Sequence, residues 1–196
     1  MTAASWVTAF RLLATAAILP FIYAHTLASY LVATGIFLVA IASDILDGLL
    51  ARHFNQSTAL GATLDALADK IFVYSTLFAL MHADAVRAEF VFPFFLRDML
   101  VDGLRNRAYE VAGFFGANIW GKAKFVFQCL SIALALGYCI VGIPQFSAWA
   151  NVALLLGLIV SLPGLWIIAS VVQSHDGRKP ADDVARVPAI QQRRFF

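Results

Sequence analysis

Charge is scarce in this chain, and so is cysteine. Asp, Glu, Lys and Arg together make up 13% of 196 residues, and only two cysteines are present. Soluble domains carry about a quarter charged residues. With 61% hydrophobic residues, this chain is too apolar to stay in water, and insertion into a membrane is the first inference. The net charge is only +2, and no basic stripe points to nucleic acid. Cys129 and Cys139 lie in one apolar stretch, too far apart on one helix to bridge, and no CxxC spacing occurs. They read as buried, apolar-like thiols. There is no internal repeat and no low-complexity segment. No early basic cluster precedes the first apolar stretch, which runs past Pro20 without a small-residue cleavage site. That stretch reads as a retained helix rather than a signal peptide.

What is present is a series of long apolar runs. About 20 apolar residues cross the hydrocarbon core, and six runs approach that length. They cover about 6–24, 28–50, 59–81, 90–111, 123–141 and 149–172, the fourth being the most polar. The expectation is an all-α integral membrane protein with six transmembrane helices in one domain, 1–173, followed by a polar cytoplasmic tail, 174–196. Lys and Arg placement sets the orientation. With the N-terminus inside, the outer loops hold a single basic residue, Arg87. The inner segments hold Arg52, Arg105, Arg107, Lys122, Lys124, Arg178, Lys179, Arg186, Arg193 and Arg194. Both termini are therefore expected on the cytoplasmic side. Trp6, Trp120, Trp149 and Trp166 fall mostly near span ends, as an interfacial belt requires.

Charged side chains inside membrane helices are expensive and usually mark a site or a pathway. Asp44 and Asp47 sit near the inner end of the second span; Asp65, Asp69 and Lys70 sit near the inner start of the third. A short turn around Asn55 and Gln56 joins these spans, so four carboxylates should converge at one level. Asp44 and Asp47 are three apart, Asp65 and Asp69 four apart, and each pair shares a helix face. Four crowded anions would repel and tend to protonate. A divalent cation, or two, removes that conflict. The ligands would be all oxygen, with His53 the only imidazole nearby and no thiolate close, so Mg²⁺ or Mn²⁺ fits better than zinc. Gly48, Ala51 and Gly61 permit a ligand or a neighbouring helix to come close. Arg52 either holds a phosphate or marks the membrane boundary. In the fourth span, Asp98 and Asp102 are four apart and are expected to pair with Arg97 and with Arg105 or Arg107. His25, His53, His82 and His175 are scattered at expected loops and read as surface residues.

Written out, the acidic segment is Asp44-x-x-Asp47-Gly48-x-x-Ala51-Arg52, then eight residues, then Gly61-x-x-x-Asp65-x-x-x-Asp69. It resembles the signature of the CDP-alcohol phosphatidyltransferase family at all eight defining positions. The family likewise has six transmembrane helices with this motif across the second and third. Other stretches resemble its phosphatidylglycerophosphate synthase branch. Thr8 and Arg11 match an N-terminal Asn-x-x-Thr-x-x-Arg pattern, with Ser5 in place of Asn. Arg97-Asp98, Gly103-Leu104-Arg105, Gly121-Lys122-x-Lys124 and Gln128 also match, with Asp98 where Glu is common and Phe125 where Thr is common. The resemblance implies that Asp44, Asp47, Asp65 and Asp69 bind metal, and that Asp69 is also the general base. It implies that Thr8, Arg11, Asp44, Gly48, Arg52 and Gly61 face the cytidine diphosphate, and that Arg105, Lys122 and Lys124 receive a phosphate on the acceptor. It further implies a homodimer in a bacterial-type inner membrane, acting on CDP-diacylglycerol and a small alcohol among membrane lipid.

Two functions then compete. The first is phosphatidyl transfer to a small alcohol, with glycerol 3-phosphate the leading acceptor and inositol phosphate, inositol and serine its rivals. A cationic pocket from Arg105, Lys122 and Lys124 suits a phosphorylated acceptor, although positive-inside anchoring also accounts for basic residues there. No Ser-His pair or cysteine lies near the motif in sequence, which favours direct displacement over a covalent intermediate. The second is an ion or proton transporter using intramembrane carboxylates. Against it, all four acids sit near one membrane face, and the interrupted-helix repeat of many transporters is missing.

Overall fold

The computed structural model describes the backbone of residues 3–54, 59–112 and 119–175, and side chains over 9–43, 67–108 and 119–174. Among the described residues the chain forms six helices and no strand: α1 (Ala3–Tyr23), α2 (Leu27–Phe54), α3 (Ala59–His82), α4 (Ala88–Ala112), α5 (Ile119–Val141) and α6 (Pro144–His175). Each apolar run of the sequence has become one helix. This follows from the solvent: in hydrocarbon a backbone must satisfy its own N–H and C=O groups, and a helix does so within one segment. α5 and α6 are long and apolar enough to cross a membrane, and 9–23 and 27–43 form shorter apolar stretches.

The turns are built from local chemistry. Thr26 caps α2: its hydroxyl accepts the Ser29 N–H at 3.2 Å, while the Ser29 hydroxyl accepts the Thr26 N–H at 3.1 Å. This is a capping box with serine in the reciprocal role. α3 ends with the Ala85 N–H on the Leu80 carbonyl and the Asp84 N–H on the Met81 carbonyl, and Asp84 lies at φ +54. These are the two bonds of a Schellman ending with an aspartate in the left-handed position that glycine usually takes. His25 occupies the corresponding place after α1 at φ +50. Within the helices, hydroxyls bond back to carbonyls a turn earlier, as Thr15 does to Arg11, Thr34 to Tyr30 and Thr76 to Phe72. No hydroxyl of these three faces lipid unpaired.

α3 is the inner element, packed against α1, α4 and α5; α6 packs along α5 and α4. Ile18, Ile22, Phe37, Leu77, Leu80, Phe94, Ile132, Leu136 and Leu154 are fully enclosed. Leu13, Leu31, Leu38, Leu96, Val126 and Trp166 point outward, an apolar exterior that suits lipid rather than water. One contact is unusually close. A Cβ placed on Gly157 of α6 would lie 2.8 Å from the Phe127 Cβ of α5 and 3.1 Å from the Phe94 ring of α4. The missing side chain is what lets three helices meet there.

Candidate active site

Two of the sequence-nominated residues meet across the α1–α3 contact. The Arg11 guanidinium donates to the Asp69 carboxylate. Arg11 is buried and the Asp69 side chain is 30% exposed. A guanidinium at this depth requires a counter-charge, because removing one partner of a buried pair leaves an uncompensated charge. Arg11 and Asp69 also line a small recess whose other walls are apolar, including Phe37 of α2, Phe72 of α3, and Phe125 and Cys129 of α5. Phe37 stacks on Phe72 with rings 6.2 Å apart. Among the described residues, α2 and α3 meet through such side chains rather than through close backbone approach. The recess is therefore a gap between the two helices that carry the acidic motif. Sequence proximity did not reveal Cys129 there; α5 brings it in from the far side.

Asp44 and Asp47 belong to α2, and Asp65 to α3. Their side chains, and those of Thr8, Gly48, Arg52 and Gly61, lie outside the described residues. Among the described residues, no three His, Cys, Asp or Glu side chains gather closely enough to hold a metal ion. The chemistry of the donor set still fits a hard cation: the motif offers carboxylate oxygens alone, and Asp69 keeps its carboxylate partly accessible beside the recess.

A second polar assembly lies beside this site. Asp98 of α4 is almost fully enclosed and receives three donors: Arg97 Nη1 at 2.9 Å, the Tyr74 hydroxyl at 2.6 Å and the Lys124 ammonium. Gln128 Nε2 donates to the Tyr74 oxygen at 3.2 Å, and Arg97 Nη2 donates to the Ser161 carbonyl at 2.5 Å. The Asp98 carboxylate thus ties α3, α4 and α5 together, and Arg97 extends the link to α6. The Lys124 ammonium also lies 5.9 Å from the centre of the Phe94 ring, within cation–π reach. Asp102, one turn on, takes Lys70 of α3. This corrects the expectation of a partner on its own helix: the lysine comes from across the α3–α4 contact. Asp98 pairs with Arg97 as expected and with Lys124 in addition. Lys122 and Arg105, the other residues nominated for an acceptor phosphate, are exposed. Tyr74 was not nominated. A tyrosine inside an otherwise apolar run, with Gln128 elsewhere to pair, was the available signal.

At the opposite end of the helices, His25 and His82 come together with ring centres 5.6 Å apart, His82 lies 5.2 Å from Tyr23, and His25 Nδ1 bonds the Tyr30 hydroxyl at 2.8 Å. Both imidazoles are exposed, as expected, although their meeting was not.

Residues 1–178 match the model of the CDP-alcohol phosphatidyltransferase family. The chain is similar to the CDP-diacylglycerol–glycerol-3-phosphate 3-phosphatidyltransferase of Mycoplasma pneumoniae, 34% identical over 111 residues that make up 57% of this chain and 49% of the relative. It is similar to the protein of the same name from Pseudomonas fluorescens, 30% identical over 162 residues, 77% of this chain and 81% of the relative. A shorter stretch of 71 residues is 38% identical to the CMP-forming cardiolipin synthase of Rattus norvegicus, covering 36% of this chain and 24% of the relative. The chain spans about half the length of the first curated relatives it matches.

Proposed function

The chain belongs to the CDP-alcohol phosphatidyltransferase family, and from that membership we propose that it transfers the phosphatidyl group of CDP-diacylglycerol to glycerol 3-phosphate, releasing CMP. The family is one of integral membrane proteins that work with a divalent metal. In this reading all six helices cross a bacterial-type inner membrane, both termini and the active site are cytoplasmic, and two copies form a homodimer. The observation that carries the reading is the complete motif on α2 and α3, whose last carboxylate, Asp69, is held by Arg11 from the N-terminal pattern.

Asp44, Asp47, Asp65 and Asp69 would hold Mg²⁺ or Mn²⁺. A cation bound there neutralises charge on the pyrophosphate and on the departing CMP. Thr8, Arg11, Gly48, Arg52 and Gly61 would surround the cytidine diphosphate; Arg105, Lys122 and Lys124 would receive the acceptor's phosphate. The acceptor hydroxyl attacks the phosphorus of the phosphatidyl group. Its proton passes to the Asp69 carboxylate as the bond from that phosphorus to the CMP oxygen breaks. Holding the two substrates in line accounts for most of the acceleration.

The test is CMP release by purified protein given CDP-diacylglycerol, Mg²⁺ or Mn²⁺, and each candidate alcohol. Release that depends on glycerol 3-phosphate, with a phosphatidylglycerol phosphate as lipid product, is the expected result. Equal or faster release with inositol phosphate, inositol or serine would replace the acceptor. No release with any alcohol, alongside cation flux through the protein in liposomes, would replace the enzyme by a transporter.

A further inference from the structure

Helix α4 carries two acids one turn apart, and each takes a lysine from a different neighbour. Asp98 receives Lys124 of α5, and Asp102 receives Lys70 of α3. Both lysines stand at the level of the recess. Lys70 follows Asp69 and Lys124 precedes Phe125, and Asp69 and Phe125 share that recess. Asp98 and Asp102 are four residues apart and share a face of α4, so the two ammonium groups they hold are neighbours. Neither is a loose surface lysine: their side chains are 23% and 12% exposed.

A lysine has a long, flexible stem and is otherwise spread over many rotamers. Here each stem ends on a carboxylate. Asp98 is itself fixed, by Tyr74 and by Arg97, so it is a rigid mount. In this assembly Arg97, Lys70 and Lys124 supply three positive charges, and Asp98 and Asp102 supply two negative ones. With Arg97 as the third cation the assembly carries a net positive charge, which favours an anion entering beside the two immobilised ammonium groups over a neutral polyol.

We propose that Asp98 and Asp102 are positioning residues that hold Lys124 and Lys70 as a paired contact for the acceptor's phosphate, so that α4 sets the preference for a phosphorylated alcohol. This deepens, and rests on, the phosphatidyl transfer proposed above. Lys70 thereby joins the acceptor-binding residues.

The test compares initial rates of the full chain with Asp102→Asn, Lys70→Gln, Asp98→Asn and Asp98→Glu. Asp102→Asn and Lys70→Gln should each raise the KM for glycerol 3-phosphate by about five-fold or more, while the KM for CDP-diacylglycerol stays within about two-fold. Inorganic phosphate, as a competitor of the acceptor, should weaken in parallel. Asp98→Glu should recover acceptor affinity that Asp98→Asn loses. Where Asp98→Asn does not fold, Asp102→Asn decides the matter, because its carboxylate is a third exposed. An unchanged acceptor KM in both Asp102→Asn and Lys70→Gln would reduce these pairs to helix clamps and overturn the proposal. A lower acceptor KM in Asp102→Asn would mean that the acid competes with phosphate for the lysine, and would overturn it equally. A wild-type chain that ignores glycerol 3-phosphate defeats the proposed reaction itself; an active wild type with unmoved variants defeats only the positioning role.

Discussion

Replacing Gly157 with alanine tests the helix packing at its tightest point. The added methyl would sit 2.8 Å from the Phe127 Cβ, whereas carbon atoms in good contact are about 3.5–4.0 Å apart. The deficit is therefore roughly 0.7 Å or more. Rotation cannot relieve it, because a Cβ is fixed to its own backbone; α5 and α6 must move apart. The Phe94 ring at 3.1 Å can yield more easily, being the far end of a side chain. Overpacking of this kind costs about 1–3 kcal/mol, and the rigid contact argues for the upper half of that range. Alanine recovers up to about 1 kcal/mol of helix propensity, leaving a net loss of about 1–2 kcal/mol. For a chain of this size the midpoint of thermal unfolding should fall by about 2–8 °C, measured on detergent-solubilised protein. Gly35→Ala is the control, since nothing lies within 4 Å of its would-be Cβ; it should leave the midpoint unchanged or raise it. A Gly157→Ala midpoint equal to that of Gly35→Ala would show that the three helices do not meet as described.

Asp69→Asn should lower turnover by about 10²-fold or more, the scale of a lost general base, and a fully active variant would remove Asp69 from that role. Tyr74→Phe should cost about 1–3 kcal/mol, because Asp98 loses a donor and Gln128 an acceptor in an enclosed space; an unmoved thermal midpoint would refute the network. Chelation should abolish CMP release and Mg²⁺ or Mn²⁺ should restore it, while activity that survives exhaustive chelation would sink the metal assignment. Outside the spans, the hydrogen bond from Arg87 holds the Glu89 carboxyl below its ordinary value of 4.5. Because the folded value is lowered, the pair's small stabilisation is present above that ordinary value and is lost as pH falls through the lowered one. The stability difference between wild type and Glu89→Gln should therefore be flat near neutrality and vanish in acid; a difference that grows as pH falls would contradict the pairing.

The six helices were legible because each apolar run is long and each break is polar. Boundaries differ mainly where a helix runs past its apolar stretch, as α2 does to Phe54 and α6 does from Pro144. Of the acidic motif the structure describes the side chain of Asp69, which Arg11 holds; those of Asp44, Asp47 and Asp65 lie outside the described residues. What could not be read was which faces meet. In lipid both the buried and the exposed side of a helix are apolar, so no amphipathic stripe marks the interior. Hence Asp102 could not be matched to Lys70, Tyr74 could not be placed against Asp98, and Gly157 looked like any other glycine. His25 follows α1 and His82 ends α3, and only the α1–α3 contact brings them together.

The Arg97–Ser161 bond has a consequence for biogenesis. In the six-span reading proposed above α4 carries Arg97, Asp98 and Asp102 into the membrane, where charged residues at the middle of a helix cost about 2.5–3.5 kcal/mol each during insertion. Lys70 is already made when α4 emerges from the ribosome, but Lys124 is not, and Ser161 follows Arg97 by 64 residues. At roughly 5–20 residues per second, that interval is about 3–13 s. Until Lys124 is made Asp98 lacks that partner, and until Ser161 is made Arg97 lacks the carbonyl that takes its second amino group. The nascent α4 should therefore wait at the insertion machinery or the lipid headgroups, and enter its final place only with the helix made last.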